Sequence, residues 1–107
     1  MSVYMVAEVK VKDQTKYDQY LALVSDIIPK HDGRFLVRGD LAKPLAMGGE
    51  MKPDRRQSER MIILEFPSEV HLRRFFASPE YQTIVSLRLA AADTRWVLLE
   101  GYQPKKQ

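Results

Sequence analysis

The order in which strand-like and helix-like segments follow one another is the feature that most restricts how this chain can fold. Apolar residues recur at every second position over residues 3–11, which is typical of a strand with one buried face. They then recur at helical spacing over residues 17–28, after Asp13, a residue suited to the N-cap of a helix. The chain therefore begins with a strand and an amphipathic helix, and this helix is expected to end between Ile28 and His31.

Strand-like segments follow in the middle of the chain. One is predicted at residues 34–38, and a nearly continuous apolar run at residues 61–66 is typical of a central strand. A shorter strand, interrupted by Pro44, is predicted at residues 41–47. Residues 48–60 contain two glycines, a proline and several charges, which predicts a mobile loop.

The C-terminal part of the chain predicts two helices and a final strand. Ser68 and Ser78 are both suited to helix N-caps, and Ser78 is followed by Pro79 at the first helical position. The second of these helices carries an apolar stripe that is predicted to face the core: Tyr81, Ile84, Val85, Leu89 and Ala92. A turn at residues 93–94 is then expected to lead into a strand at residues 95–100.

The resulting order of strand, helix, two strands, helices and strand is that of a split βαβ unit. It predicts an α+β domain of the ferredoxin-like type, in which an antiparallel sheet carries its helices on one face. We expect a single domain over residues 1–102 and a flexible tail over residues 103–107.

Composition excludes several classes of function. The chain has no cysteine, which rules out thiolate catalysis, iron–sulfur clusters and zinc sites built on cysteine. The net charge of +3 includes Lys105 and Lys106 in the tail, and the other basic residues are mixed with acidic ones, so no nucleic-acid partner is expected. No signal-peptide pattern and no membrane-spanning apolar segment are present, so we expect a cytoplasmic location and no membrane partner.

The second strand has one face that carries arginine. With strict alternation, Phe35 and Val37 point to one side of the sheet. Arg34, Leu36 and Arg38 then point to the other side. Because an unpaired arginine is costly to bury, that side is expected to face water, a counter-charge or a ligand.

If the helices cover one face of the sheet, the other face is left open and mixed in character. It is predicted to combine Tyr4, Val6, Glu8, Leu36, Arg38, Met61, Ile63 and Glu65 with one of two rows of the last strand, either Arg95, Val97 and Leu99 or Trp96, Leu98 and Glu100. Such a face is too apolar for water and too charged for a dry core, which is typical of an interface or a ligand site. We therefore expect a homodimer in which two sheets pack face to face around a cavity, as a dimeric α+β barrel.

Three motifs in this order resemble those of the DUF1330 family: GRFLVRG at residues 33–39, EFPS at residues 65–68, and SPEYQ at residues 78–82 followed by Arg88. The resemblance covers residues 3–101, nearly the whole chain. It implies a ferredoxin-like protomer and a face-to-face dimer of the dimeric α+β barrel superfamily. It implies little about activity, because the family is named for having no known function.

The chain also departs from the family pattern. Residues 32–33 and 39–40 each pair one glycine with aspartate, where the family usually has two glycines. Residues 75–77 (Phe-Phe-Ala) stand where the family commonly has Trp-Tyr-Asp, and residues 47–49 lack the usual acidic residue ahead of a short insertion up to Arg60. Because polar groups are lost, a ligand typical of the family is expected to bind differently here.

Five residues are candidates for binding a ligand: Arg38, Glu8, Glu65, Tyr81 and Arg88. Arg38 can hold a carboxylate or enolate oxygen through two parallel hydrogen bonds, or form a structural ion pair with Glu8 or Glu65. Glu65 has apolar neighbours, so it can serve as a general base with a raised pKa, or stay ionised in a pair with Arg38 or Arg88. Tyr81 is expected to pack its ring in the core with its hydroxyl on a polar group.

His31 is a candidate for catalysis together with Arg38 and Glu65. At the end of the first helix, it can shuttle a proton, bind haem or a metal, or simply complement the helix dipole. His71 is expected to be exposed to solvent. Neither histidine has a carboxylate or another histidine at ligand spacing, so no metal site and no cofactor are expected.

Three interpretations of function follow from the sequence. The first is a homodimer that binds a small organic molecule, either between the sheet and the helices or between the two sheets, with any chemistry done without a cofactor by Arg38 and Glu65 as the polar pair. The second is a non-catalytic dimerisation or binding module whose charged face serves assembly. The third is a haem- or metal-using barrel enzyme with His31 as ligand. Whether the chain is an enzyme stays undecided at this point.

Overall fold

The computed structural model describes residues 1–39, 60–102 and 104. Its elements follow in the order β1 (Val3–Val11), α1 (Gln14–Ile27), β2 (Arg34–Gly39), β3 (Arg60–Phe66), α2 (Glu69–Ala77), α3 (Pro79–Ala91) and β4 (Ala92–Glu100), and a short 3₁₀ helix (Ile28–His31) continues α1. The predicted strand at residues 41–47 and the predicted loop at residues 48–60 lie outside the described residues, except for Arg60, with which β3 begins. No helix in the described part of the chain is long and apolar enough to cross a membrane.

The four described strands form one antiparallel sheet in the order β2-β3-β1-β4. Over residues 3–9 of β1 the side chains alternate between buried and half-buried. The helix face of the sheet is defined by the buried row Val3, Met5, Ala7 and Val9 with the residues paired to it, and the open face by Tyr4, Val6 and Glu8 with theirs. Buried residues of all three helices join the helix face in one core, so the predicted ferredoxin-like α+β fold is confirmed.

The core lies between the helix face and the helices and is rich in aromatic rings. Its largest fully buried side chains are Tyr17, Ile28, Phe66, Phe75 and Tyr81. The ring centroid of Phe75 lies 4.8 Å from that of Tyr81 and 5.4 Å from that of Phe66. Phe75 of α2 therefore joins α3 to the sheet.

The three predicted helix N-caps are all confirmed by hydrogen bonds. An Asp13 carboxyl oxygen accepts from the backbone N–H of Lys16 at 3.0 Å, which begins α1. At the starts of α2 and α3, the hydroxyl oxygens of Ser68 and Ser78 each accept a hydrogen bond from the backbone N–H of the residue three positions further along the chain. Each cap satisfies one of the backbone donors that the first turn of a helix leaves without a partner.

The turn between the 3₁₀ helix and β2 depends on two unusual residues. Asp32 has a φ angle of 61°, a left-handed conformation that aspartate adopts more readily than most residues. Gly33 packs so closely that a Cβ atom there would lie 2.5 Å from Cε1 of Phe66 and 2.9 Å from Cγ2 of Ile28. Glycine at position 33 is therefore required by the approach of the backbone to the core, whereas Asp32 can replace a glycine of the family pattern.

A β-bulge in β2 overturns the predicted alternation of this strand. Arg34 pairs with Glu65 and Phe35 with Leu64, but the register then shifts, so that Val37 lies opposite Ile63. Residues that lie directly opposite share a face, and a bulge adds one residue that shifts the alternation. Val37 therefore lies on the open face with Arg34, and the prediction that it shares a face with Phe35 is wrong.

The same bulge moves Arg38 to the helix face, opposite Ile62. Its guanidinium carbon lies 4.9 Å from the ring centroid of Phe35, which is also on the helix face. The predicted placement of Arg38 on the open face is therefore wrong. Leu36 has no paired residue on β3, so the prediction that it lies in one row with Arg34 and Arg38 is also wrong.

The junction between α3 and β4 is tighter than predicted. Ala92 already has extended backbone angles, with φ −159° and ψ 156°, and β4 begins there rather than after a turn. The carbonyl oxygen of Ala91 accepts hydrogen bonds from the backbone N–H groups of Lys12 and Asp13, which anchors this end of the helix beside β1. As a result Ala91 is buried in the core, whereas Leu89 is exposed and does not belong to the buried stripe.

A candidate ligand site between the sheet and the helices

A cavity lies between the helix face and α1, with further walls from α2 and α3. It encloses about 420 Å³, its open mouth included. Aromatic rings make up much of its wall: Tyr17, Tyr20, Phe35, Phe75 and Trp96. The remaining wall is mostly aliphatic, with Arg88 and Thr94 as its other polar residues.

Arg88 of α3 supplies the charge in the wall of this cavity. Its Nε atom is buried and has no hydrogen-bond partner within the described residues. The guanidinium carbon lies 5.5 Å from the ring centroid of Trp96, so the cation stacks against an aromatic face. A buried donor without a partner costs about 1–3 kcal/mol, a penalty that an acceptor atom in the cavity would remove.

Two buried tyrosines from different helices share a hydrogen bond beside Arg88. The hydroxyl oxygens of Tyr20 on α1 and Tyr81 on α3 are 3.2 Å apart, and either can be the donor. Burial, and next the neighbouring Tyr81, raise the pKa of Tyr20 far above its usual value, against a smaller opposing effect of Arg88. Tyr20 therefore keeps its proton and stays neutral. The prediction that Tyr81 packs in the core with its hydroxyl on a polar group is confirmed.

Three arginine side chains lie over aromatic rings that line the cavity. Arg88 covers Trp96, and the other two pairs are Arg38 over Phe35 and Arg60 over Tyr17, both with 4.9 Å from guanidinium carbon to ring centroid. No carboxylate lines the cavity in the described part of the chain. Among the described residues, the wall of the cavity is therefore mostly apolar, with Arg88 as its charged residue.

The five predicted ligand-binding residues divide between the two faces of the sheet. Arg38, Tyr81 and Arg88 lie on the helix side. Glu8 and Glu65 lie on the open face. The hypothesis that Arg38 and Glu65 form one polar pair is therefore not met, because the bulge in β2 separates them.

Glu65 is paired with Arg34 instead. The Nε–H of Arg34 donates to the Oε1 atom of Glu65 at 2.6 Å, and the carboxylate side chain is only 16% exposed. This hydrogen bond, aided by others from Ser2 and Tyr4, holds the pKa of Glu65 below its usual value against the opposing effect of burial. Glu65 is therefore ionised and paired, and its use as a general base with a raised pKa is not supported.

Replacing Glu65 by glutamine is expected to weaken the acid sensitivity of folding. Because the pKa is lower in the folded protein, the unfolded state binds more protons, and stability is lost as pH falls below 4.5, the usual value, through the folded pKa. We expect the free energy of unfolding of the wild type to decrease more steeply than that of Glu65→Gln over this range. Urea unfolding at a series of pH values and one protein concentration measures this difference.

Arg34→Met is the companion variant for this experiment, because the hydrogen bond from Arg34 is the main cause of the lowered pKa. It should flatten the pH dependence of the free energy of unfolding in the same direction as Glu65→Gln. Parallel curves for the wild type and Glu65→Gln would show that the pairing has no effect on stability.

The open face is apolar across its middle and charged at two corners. Its middle row, which runs across all four strands, is Val37, Ile63, Val6 and Val97. One corner carries the pair of Arg34 with Glu65, and the opposite corner carries Arg95, 3.9 Å from Glu8. Of the two rows considered for β4, the row of Arg95, Val97 and Leu99 lies on this face, and Trp96 with Leu98 lies on the helix side.

Neither histidine is among the described residues that line the cavity. His31 packs edge-on against Phe75 with 6.0 Å between ring centroids, and it does not line the cavity. His71 is half-buried rather than exposed, with Nδ1 at 2.7 Å from the Ser68 hydroxyl and Nε2 at 3.6 Å from a carboxyl oxygen of Asp32. Within residues 1–39 and 60–102 no three histidine or carboxylate side chains are grouped to hold a metal ion.

Two residues of the cavity wall, Tyr20 and Trp96, are not among the site residues that the sequence predicts. The sequence places Tyr20 only on the apolar stripe of the first helix, and Trp96 in one of two alternative rows. The signal for Tyr20 is its hydroxyl, since a tyrosine on a buried stripe needs a polar partner inside the protein. Arg60, predicted as the end of a loop, begins β3, lies over the wall residue Tyr17 and donates from Nη2 to Oε1 of Gln14 at 3.0 Å.

Comparison with known proteins places this architecture among small α+β proteins. The model of the family described as "Domain of unknown function (DUF1330)" matches residues 2–102. No curated protein matches the chain. Several solved structures do match it, at low sequence identity.

Three of these structures illustrate the likeness. A protein of unknown function from Rhodopseudomonas palustris has a TM-score of 0.79 and 19% identity, over 96% of this chain and 84% of that one. A dimeric ferredoxin-like protein of unknown function from Jannaschia sp. CCS1 has a TM-score of 0.68 and 12% identity, over 94% and 100%. SnoaB, a cofactor-independent oxygenase from Streptomyces nogalater, has a TM-score of 0.64 and 14% identity, over 99% and 98%. At these sequence identities the likeness shows that the fold is shared.

Proposed function

We propose a ligand-binding function for this chain, which belongs to the DUF1330 family: a homodimer in which each protomer holds a small organic molecule between its sheet and its helices. The observation that carries the proposal is the Nε–H of Arg88, buried without a partner in the wall of an aromatic cavity. Binding sites for small molecules are typically concave and apolar with a few polar groups that orient the ligand. The cavity has this character.

The proposal is one of binding rather than of a named reaction. A general base needs a group such as a histidine or carboxylate within hydrogen-bond reach of the substrate. Neither kind of side chain lines the cavity in the described part of the chain. The oxygenase of Streptomyces nogalater is named as working without a cofactor, and at 14% identity its likeness supports a common fold rather than a common reaction.

The homodimer is supported by the open face. The middle row of this face is apolar across the sheet, and Val97 and Leu99 of β4 are half or more exposed. A contiguous apolar surface of this kind usually marks an interface, and two-fold symmetry is the commonest way for identical chains to cover it. The likeness to a dimeric ferredoxin-like protein agrees with this arrangement.

Native mass spectrometry of the freshly purified protein tests both parts of the proposal. We expect the mass of two chains plus up to one small molecule for each, which is released when the protein is denatured and can then be identified. In Arg88→Met the fraction of dimer carrying the extra mass should fall, whereas Arg74→Met, at an exposed position of α2, should leave it unchanged. A dimer without added mass would favour a pure assembly module, and a monomer would contradict the homodimer.

A further inference from the structure

We infer that the ligand is a small organic acid, with a flat apolar or aromatic body and one oxygen-centred negative charge that is bound by Arg88 and the hydroxyl of Tyr20. This inference rests on the ligand-binding function proposed above and specifies the chemical class of the ligand. It draws on the charge in the cavity wall, on the hydrogen-bond donors left over there, and on the size and lining of the cavity.

The charge in the cavity wall favours an anion. Arg88 is the charged residue among the described wall residues, and no carboxylate lines that wall within them. A cation in an apolar wall is stabilised by an opposite charge more strongly than at a surface in water, because the surroundings screen the attraction less. A neutral or cationic ligand would leave Arg88 without that compensation.

The leftover donors favour an oxygen acceptor. Arg88 has its buried Nε–H without a partner. Tyr20 and Tyr81 together carry two hydroxyl protons, and the hydrogen bond between them uses one. When Tyr81 donates to Tyr20, the proton of Tyr20 is left to donate to a group in the cavity, which Tyr20 lines. The Tyr20 hydroxyl and the Nε–H of Arg88 are therefore the donors that an oxygen atom of the ligand would satisfy.

The size and the aromatic lining of the cavity favour a small, flat molecule. The space of about 420 Å³, its open mouth included, is in the range that small organic ligands occupy. Rings of Phe35, Phe75 and Trp96 line the cavity and can stack on or meet the edge of a planar body. A carboxylate or phenolate on a single ring satisfies both conditions.

Benzoate and benzamide are matched probes for this inference, because they share ring and shape and differ in charge. Trp96 is the sole tryptophan of the chain and lies in the cavity wall, so its fluorescence reports directly on occupancy. We expect benzoate to bind at neutral pH about tenfold more tightly than benzamide, or better, because a hydrogen bond to a charged acceptor is stronger than one to a neutral amide oxygen.

Variants at Arg88 test the source of this preference. Arg88→Met should remove the preference for benzoate, and Arg88→Lys, which keeps the positive charge, should retain part of it. Arg74→Met is the matched control and should behave as the wild type, because Arg74 is exposed on α2 and does not line the cavity. Circular dichroism of each variant establishes whether it is folded. If Arg88→Met does not fold, Arg88→Lys still decides the test.

The possible results separate the ligand class from the proposed function. Equal binding of benzoate and benzamide by the wild type would overturn the ligand class and leave the cavity as a binding site. A preference for benzoate that persists in Arg88→Met would overturn the role of Arg88. Failure of both probes to bind, with no small molecule in the native mass spectrum, would overturn the inference and the proposed function together.

Discussion

Replacing Phe75 by alanine is expected to lower the free energy of unfolding by about 3–5 kcal/mol, a large part of what a domain of this size has in total. The side chain of Phe75 is 1% exposed. Its ring contacts those of Phe66 on β3, Tyr81 on α3 and Phe76 on its own helix, with centroids 4.8–5.4 Å apart. Truncation removes these contacts and enlarges the adjoining cavity, which the surrounding rings cannot fill without leaving their own positions.

Urea unfolding followed by the fluorescence of Trp96 and by circular dichroism measures this effect. The protein concentration has to be the same for all variants, because the stability of a dimer depends on it. Val70→Ala on the same helix is the control: Val70 is 53% exposed, and the change should cost no more than about 0.5 kcal/mol. If Phe75→Ala cost as little as this control, the ring of Phe75 would not be the link between α2, α3 and the sheet.

Local signals explain which parts of the fold could be predicted from the sequence. The alternation along β1 and the caps at Asp13, Ser68 and Ser78 depend on residues within a few positions of one another, and the structure confirms them. Asp32 also follows local chemistry, since aspartate tolerates the left-handed conformation that a glycine of the family pattern would adopt. Such features need no knowledge of what packs against them.

The bulge in β2 could not be predicted in the same way. Its position depends on how β2 pairs with β3, where Glu65 lies opposite Arg34 and Ile63 lies opposite Val37. Nothing within residues 34–39 shows that one residue is added between these two pairs, because the bulge is a property of two strands. One extra residue is enough to move Arg38 from the open face to the helix face.

The candidate site shows the same division between local and distant signals. Tyr81 and Arg88 lie on one helix, seven positions apart, so their common side could be predicted from spacing. Tyr20 is 61 residues before Tyr81 and reaches it only because α1 packs against α3. Trp96 lines the cavity because β4 pairs with β1 in a register that places Trp96 opposite Ala7, on the helix face. No pattern within β4 reveals this register.

Replacing Val97 by aspartate is expected to convert the proposed homodimer into monomers. Val97 lies in β4 opposite Val6, in the middle row of the open face, and is 53% exposed in the single chain. Two-fold symmetry places two new carboxylates in the interface, and burying each without a partner costs about 3 kcal/mol or more. The dissociation constant should therefore rise by about four orders of magnitude.

Val70→Asp is a closely matched control for this substitution. Val70 has the same exposed fraction as Val97 and receives the same new charge, but it lies in the first turn of α2 rather than on the open face. Sedimentation velocity over a range of concentrations should show monomers for Val97→Asp and dimers for Val70→Asp and the wild type. Because each protomer has its own cavity in the proposed arrangement, the monomeric variant should still bind benzoate. Dimers of equal affinity in both variants would mean that the two copies do not meet through the open face.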